Sequence, residues 1–164
     1  MRVLGIDPGL NTTGYGIIEE NGHEIKVHEA GVVRTDVKAA IEDRLLDISR
    51  DIQNVIEQFK PDAIAIEELY SHYKHPRTAI IMGHARGIVF MKAAEAGVRV
   101  FPYSATKVKS SLTGNGRASK QQVQQMICST LGMSALPEPP DVADALAVAL
   151  CHIQAIRQRK AIRI

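Results

Sequence analysis

Cysteine, long apolar runs and a marked excess of either charge are what this sequence is short of. Cys128 and Cys151 are its only cysteines, and no Cys-x-x-Cys or Cys/His cluster accompanies them. That excludes a cysteine-based zinc centre and leaves both as small apolar residues on helices. No apolar stretch approaches the roughly 20 residues a membrane span needs. The start, Met1-Arg2-Val3-Leu4-Gly5-Ile6-Asp7, is too brief for a secretory signal and meets an acid at once, so a cytoplasmic protein is expected. Net charge is only +2, which gives no bulk affinity for a polyanion. Its distribution is uneven. Acids dominate residues 19–68, while positive charge gathers over 74–120 and in the tail 157–164, and a basic sector of that kind can bind a polyanion locally. The tail itself reads as a solvated basic face.

What is present is an ordinary globular chain. Its 164 residues, 45% apolar and 23% charged, suit one domain, residues 1–164, with a sizeable core. Residues 2–7 read as a buried strand closed by the turn signal Asp7-Pro8-Gly9. Residues 13–19 and 24–33 read as two more strands, joined at the hairpin dipeptide Asn21-Gly22. Apolar residues at spacings of three and four, Leu45 to Phe59, predict a helix over 38–59. A strand follows at 63–67, then a helix at 77–96 and a strand at 98–101. A short helix at 104–110, a loop at 113–117, and a helix opened by the capping box Ser119-Lys120-Gln121-Gln122 come next. After the proline-rich break at 136–140, a last helix runs over 141–159. This order predicts an α/β fold: a mixed five-stranded sheet with helices on both faces, the hairpin antiparallel and the later units parallel.

Four carboxylates fall at telling places in that outline. Asp7 and Glu67 each close an apolar strand; Asp141 and Asp144 open the last helix and share one face. Singly, each has a plain explanation. Asp7 suits a turn, Glu67 a wet strand end, and Asp141/Asp144 a helix cap favoured by the dipole. The stripe Asp144, Ala145, Val148, Cys151 and Ala155 weakens the last, because it predicts close packing of that face on the sheet. If strands 2–7 and 63–67 are neighbours, Asp7 and Glu67 emerge side by side, and the last helix brings Asp141 and Asp144 over them. Two carboxylates about 4 Å apart repel by roughly 4 kcal/mol at an effective dielectric of 20. Such a group must take up protons or cations, and all-oxygen donors suit Mg²⁺ or Mn²⁺.

Taken together, Gly5-Ile6-Asp7-Pro8-Gly9, Ala65-Ile66-Glu67, Gly83-His84-Ala85-Arg86-Gly87 and Asp141-Val142-Ala143-Asp144-Ala145-Leu146-Ala147 resemble the RuvC family of bacterial Holliday-junction resolvases, in order and over essentially the whole chain. The resemblance implies a ribonuclease-H-like fold and a homodimer. It implies Mg²⁺-dependent, paired symmetric nicking of four-way DNA junctions, with two ions per site and Mn²⁺ able to substitute. It places Asp7, Glu67, Asp141 and Asp144 as metal-binding catalytic acids, and it names RuvA and RuvB as partners. Lys109 and Lys120 fall where the family contacts phosphate; Lys107 and Arg117 lie near them, around the Gly114–Gly116 loop. Tyr70 stands where the family places an aromatic that unstacks bases, with a half-buried structural tyrosine as the alternative. Lys74, His75 and Arg77 are further candidates for DNA contact, whereas His72 and His75 make no convincing metal pair and His152 reads as structural. Helix 77–96 carries more apolar surface than one face buries, so a second face is available for a dimer contact.

Two other readings share part of this pattern. One is a ribonuclease-H-like nuclease acting on RNA or a hybrid. The other is an actin-like ATPase, whose first phosphate loop Asp7-x-Gly9 with Thr12-Thr13-Gly14 resembles; that fold needs a second lobe for which this chain is too short.

Overall fold

A computed structural model describes residues 1–69 and 76–162. The expected strands form one five-stranded sheet in the order β3-β2-β1-β4-β5. Its members are β1 (Arg2–Asp7), β2 (Thr12–Asn21), β3 (Glu24–Arg34), β4 (Ala63–Glu67) and β5 (Arg99–Tyr103). β1 to β3 are an antiparallel meander, and β4 and β5 run parallel to β1. Gly22 takes a left-handed φ of 62° in the hairpin between β2 and β3, which is why glycine follows Asn21. β5 continues through Pro102 to Tyr103, past the expected strand end. It lies at the sheet edge, where a missing N–H disrupts no inner ladder.

Five helices cover the two faces: α1 (Ile41–Phe59), α2 (Pro76–Glu95), α3 (Ala105–Thr113), α4 (Lys120–Leu131) and α5 (Pro140–Ile162). α1 starts three residues later than the periodicity predicts. The Asp36 carboxylate accepts the Lys38 N–H and its carbonyl the Ala39 N–H, so residues 36–39 are held as a turn. α4 begins with the expected capping box, Ser119 with Gln122. α5 runs past the expected end, and Arg157 is no solvated tail residue. Its guanidinium meets Glu20 at 2.5 Å and seats the helix on the β2–β3 hairpin.

Alternation along the central strands sorts the core. Leu4, Ile6, Ile64 and Ile66 face α1 and α2, packing with Ile48, Ile52, Ala85 and Val89. Val3 and Ala65 face the opposite layer of α3, α4 and α5. α5 is the central piece of that layer, buried almost continuously from Val142 to Ile153. It lies on the sheet at backbone distance. A Cβ added to Gly5 would stand 2.0 Å from the Ala145 carbonyl oxygen, and one added to Gly14 2.1 Å from that of Asp141. Only glycine permits such an approach. The side of α5 on the sheet is therefore the line Asp141, Ala145 and Ala149. Cys151, expected there, turns toward α3, its thiol 3.9 Å from the Lys107 carbonyl. His152 is structural as expected: it is buried, its Nδ1 bonds the Tyr103 hydroxyl at 2.8 Å, and its ring lies against Phe101.

Candidate active site

The parallel pairing of β1 with β4 aligns Ile6 with Ile66, so the next residues, Asp7 and Glu67, leave the sheet from adjacent strand ends. The glycine seam then fixes the start of α5 above β1 and β2 and carries Asp141 and Asp144 to the same end. Pro140 is the first residue of α5, where a missing N–H costs nothing. Asp141 therefore lies inside the first turn rather than capping it.

The four acids share one electrostatic neighbourhood. Burial, then the charges of Asp144, Glu67 and Asp141, push the Asp7 carboxyl up to about 7, with Lys120 opposing. Burial and Asp144 also raise Glu67, against the pull of Lys109 and Lys120. The arrangement is open rather than a closed cage: among the described residues no three His, Cys, Asp or Glu side chains are grouped to hold a metal ion. Asp144 instead leans to Lys120, with 3.4 Å between oxygen and ammonium. The chemistry of the set still fits a hard divalent cation. All the donors are carboxylate oxygens, and a proton or an ammonium now supplies the positive charge that an ion would bring.

Two grooves flank the acids. One is lined by Glu67, Lys109, Lys120, Val123 and Asp144, so of Lys107, Lys109, Arg117 and Lys120 two stand beside the acids. Lys107 and Arg117 are exposed and belong to neither lining. The other groove, about 430 Å³, holds Asp7 and Asp141 between the loop Pro8–Thr12 and Thr78, Ile81 and Met82 of α2. Tyr70, Lys74 and His75 fall outside the described residues, and Arg77 is exposed at the start of α2.

Some contributors were not visible in the sequence. Arg86 of α2 donates to the Glu67 carbonyl and stacks over Phe90 at 5.0 Å, tying the end of β4 to α2. Thr13 is wholly buried; its hydroxyl donates to the Gly9 carbonyl at 2.6 Å and accepts the Gly9 N–H at 3.3 Å. A Gly-rich turn beside two threonines was the available signal; for Arg86 there was none beyond its place in the 83–87 segment.

The family model described as crossover junction endodeoxyribonuclease RuvC matches residues 3–152. A protein of that name from Rhodopirellula baltica is 48% identical over 91% of this chain and 84% of its own length. Another, from Caldicellulosiruptor saccharolyticus, is 47% identical over 93% of this chain and 92% of its own. Among solved structures, T. thermophilus RuvC in complex with Holliday junction substrate superposes with a TM-score of 0.91 at 35% identity, covering 96% of both chains.

Proposed function

The chain belongs to the RuvC family of crossover junction endodeoxyribonucleases, and from that membership we propose how it cuts a four-way junction. It is a Holliday-junction resolvase, a nuclease of DNA recombination and repair with a ribonuclease-H-like fold. Dependence on a divalent metal comes with the family. In our reading the metal is Mg²⁺, two ions per site with Mn²⁺ as a substitute, held by Asp7, Glu67, Asp141 and Asp144. Bound there, it would make a water nucleophilic and stabilise the oxygen that leaves.

The residues divide the remaining work. Asp7, central among the acids, is half-protonated near neutral pH, and a bound cation would take the place of that proton. Lys109 and Lys120 line the groove beside the acids and receive phosphates of the cut strand. Lys107 and Arg117 extend that contact at the rim, and Tyr70 stacks on bases at the crossover. Water attacks phosphorus in line and the bond to the 3′ oxygen breaks, leaving 5′-phosphate and 3′-hydroxyl ends with no covalent enzyme intermediate. The observation that carries this reading is the Asp7 carboxyl, raised to about 7 among three other acids with two lysines in the adjoining groove.

Paired nicks need two sites, and we assign the dimer contact to α2. Opposite its buried line Ala85, Val89 and Ala93 it exposes Ile80 at 60%, Met91 at 46% and Phe90 at 39%. Between them, Gly83 and Gly87 leave open space where a side chain would stand. A second helix can approach such a face closely. RuvA and RuvB are the proposed partners at the junction.

The test is an identical-arm mobile junction incubated with the protein over a Mg²⁺ series, with linear duplex and RNA–DNA hybrid alongside. Symmetric paired nicks confined to the junction are expected. Cleavage of the hybrid with the junction intact would overturn the reading.

A further inference from the structure

The loop that carries the chain away from Asp7 is held from the opposite side by a buried cation. Arg44 of α1 is 9% exposed, and among the described residues it forms no ion pair. Its guanidinium donates from Nη2 to the Asn11 side-chain oxygen at 2.5 Å and from Nε to the Thr35 hydroxyl at 2.9 Å. A guanidinium can only donate, so the Thr35 hydroxyl must spend its own proton elsewhere. It does, on the Leu10 carbonyl at 2.6 Å. The Thr35 N–H donates to the Asn11 carbonyl at 3.2 Å. With Thr13 on Gly9, every carbonyl from Gly9 to Asn11 has a fixed donor.

A charge buried among neutral oxygens costs stability. Position 44 sits on the buried side of α1 with Ile48, Ile52 and Val55, where an aliphatic residue would pack without that cost. What the guanidinium supplies is direction: two donors in a rigid fork set the hydroxyl of Thr35 and the amide of Asn11 at once. The segment so fixed, Leu10 and Asn11, is the wall of the groove that holds Asp7 and Asp141.

We propose that Arg44 is a positioning residue of the nuclease site, acting through Thr35 and Asn11 to hold the Pro8–Thr12 wall, and with it Asp7, in one geometry. This rests on the reading of Asp7 as a catalytic acid. Arg44 touches no substrate; it presets the surface the scissile strand enters.

The experiment compares Arg44→Gln, Arg44→Lys and Thr35→Val with wild type on a junction substrate. Thr35→Val preserves shape, lies outside both groove linings and breaks the relay alone. For Arg44→Gln, kcat should fall tenfold or more while junction affinity in EDTA stays within twofold. Thr35→Val should fall several-fold, and Arg44→Lys should recover part of the loss. Mn²⁺ binding followed by calorimetry should weaken in the same order. That readout tests the proposal even where wild type leaves the junction uncut, an outcome that would sink the functional reading instead. Wild-type kcat and Mn²⁺ affinity in a folded Arg44→Gln overturn the proposal. If Arg44→Gln does not fold, unchanged kcat and Mn²⁺ affinity in Thr35→Val overturn it equally.

Discussion

A carboxyl group with a pKa of about 7 is, in the metal-free protein, a half-protonated acid at neutral pH. Because its folded value lies above its ordinary 3.8, the native state binds the extra proton, and stability falls as pH rises between about 4 and 7. The whole of that fall amounts to at most about 4 kcal/mol. Asp7→Asn removes that charge. In EDTA at pH 7.5 its Tm should therefore exceed that of wild type, and the gap should close toward pH 4; cutting should be lost while junction binding persists. A Tm below wild type at pH 7.5 would mean that Asp7 is not under electrostatic strain. Lys109 makes a separate prediction. Lys109→Ala should lower the slope of log affinity against log salt by about 0.9 if it holds one phosphate, and an unchanged slope removes it from the contact. The Lys120–Asp144 pair is too exposed to be worth more than about 1 kcal/mol, so Lys120→Met should cost binding rather than stability.

The contact between α5 and β1 is where an element, rather than a residue, decides the site. Gly5→Ala would drive its methyl against the Ala145 carbonyl, a backbone atom that can move only with the helix. A loss of roughly 3 kcal/mol or more is expected from such overpacking, read as a drop in denaturation midpoint. The displaced helix also carries Asp141 and Asp144, so cutting should fall further than the folded fraction does. If activity merely tracks folding, the seam does not position the acids. This is also where the sequence was least legible. Strand ends were readable because an apolar run closing on an acid is local information; the β1–β4 adjacency was a condition of the reading, and the observed pairing meets it. Which side of α5 met the sheet was not: Cys151 and Val148 are apolar like Ala145, and it is the approach of Gly5 to the Ala145 carbonyl, with Cys151 turned to α3, that tells the sides apart. The late start of α1 turned on one Asp36 side chain. The Arg44 relay joins residues 11, 35 and 44 across three elements, a link that no periodicity encodes.

At the scale of the molecule the two helical layers have different work. One layer, α3 to α5, carries the lysines and two acids; the other ends in an apolar, glycine-notched face. Substituting Glu for both Ile80 and Met91, which are exposed, should leave the monomer folded and shift sedimentation from dimer to monomer. Junction nicks should then become unpaired. A variant that still sediments as a dimer would place the contact elsewhere. No helix among the described residues is long and apolar enough to cross a membrane.

The glycine seam also means that no local segment of the chain holds the proposed acid set. Asp7 follows the first strand and Asp141 and Asp144 open the last helix, and the approach of α5 to Gly5 and Gly14 carries them to one end of the sheet. The set is thus assembled only in the folded chain, and loosening this one contact would disperse it while the strands stay paired.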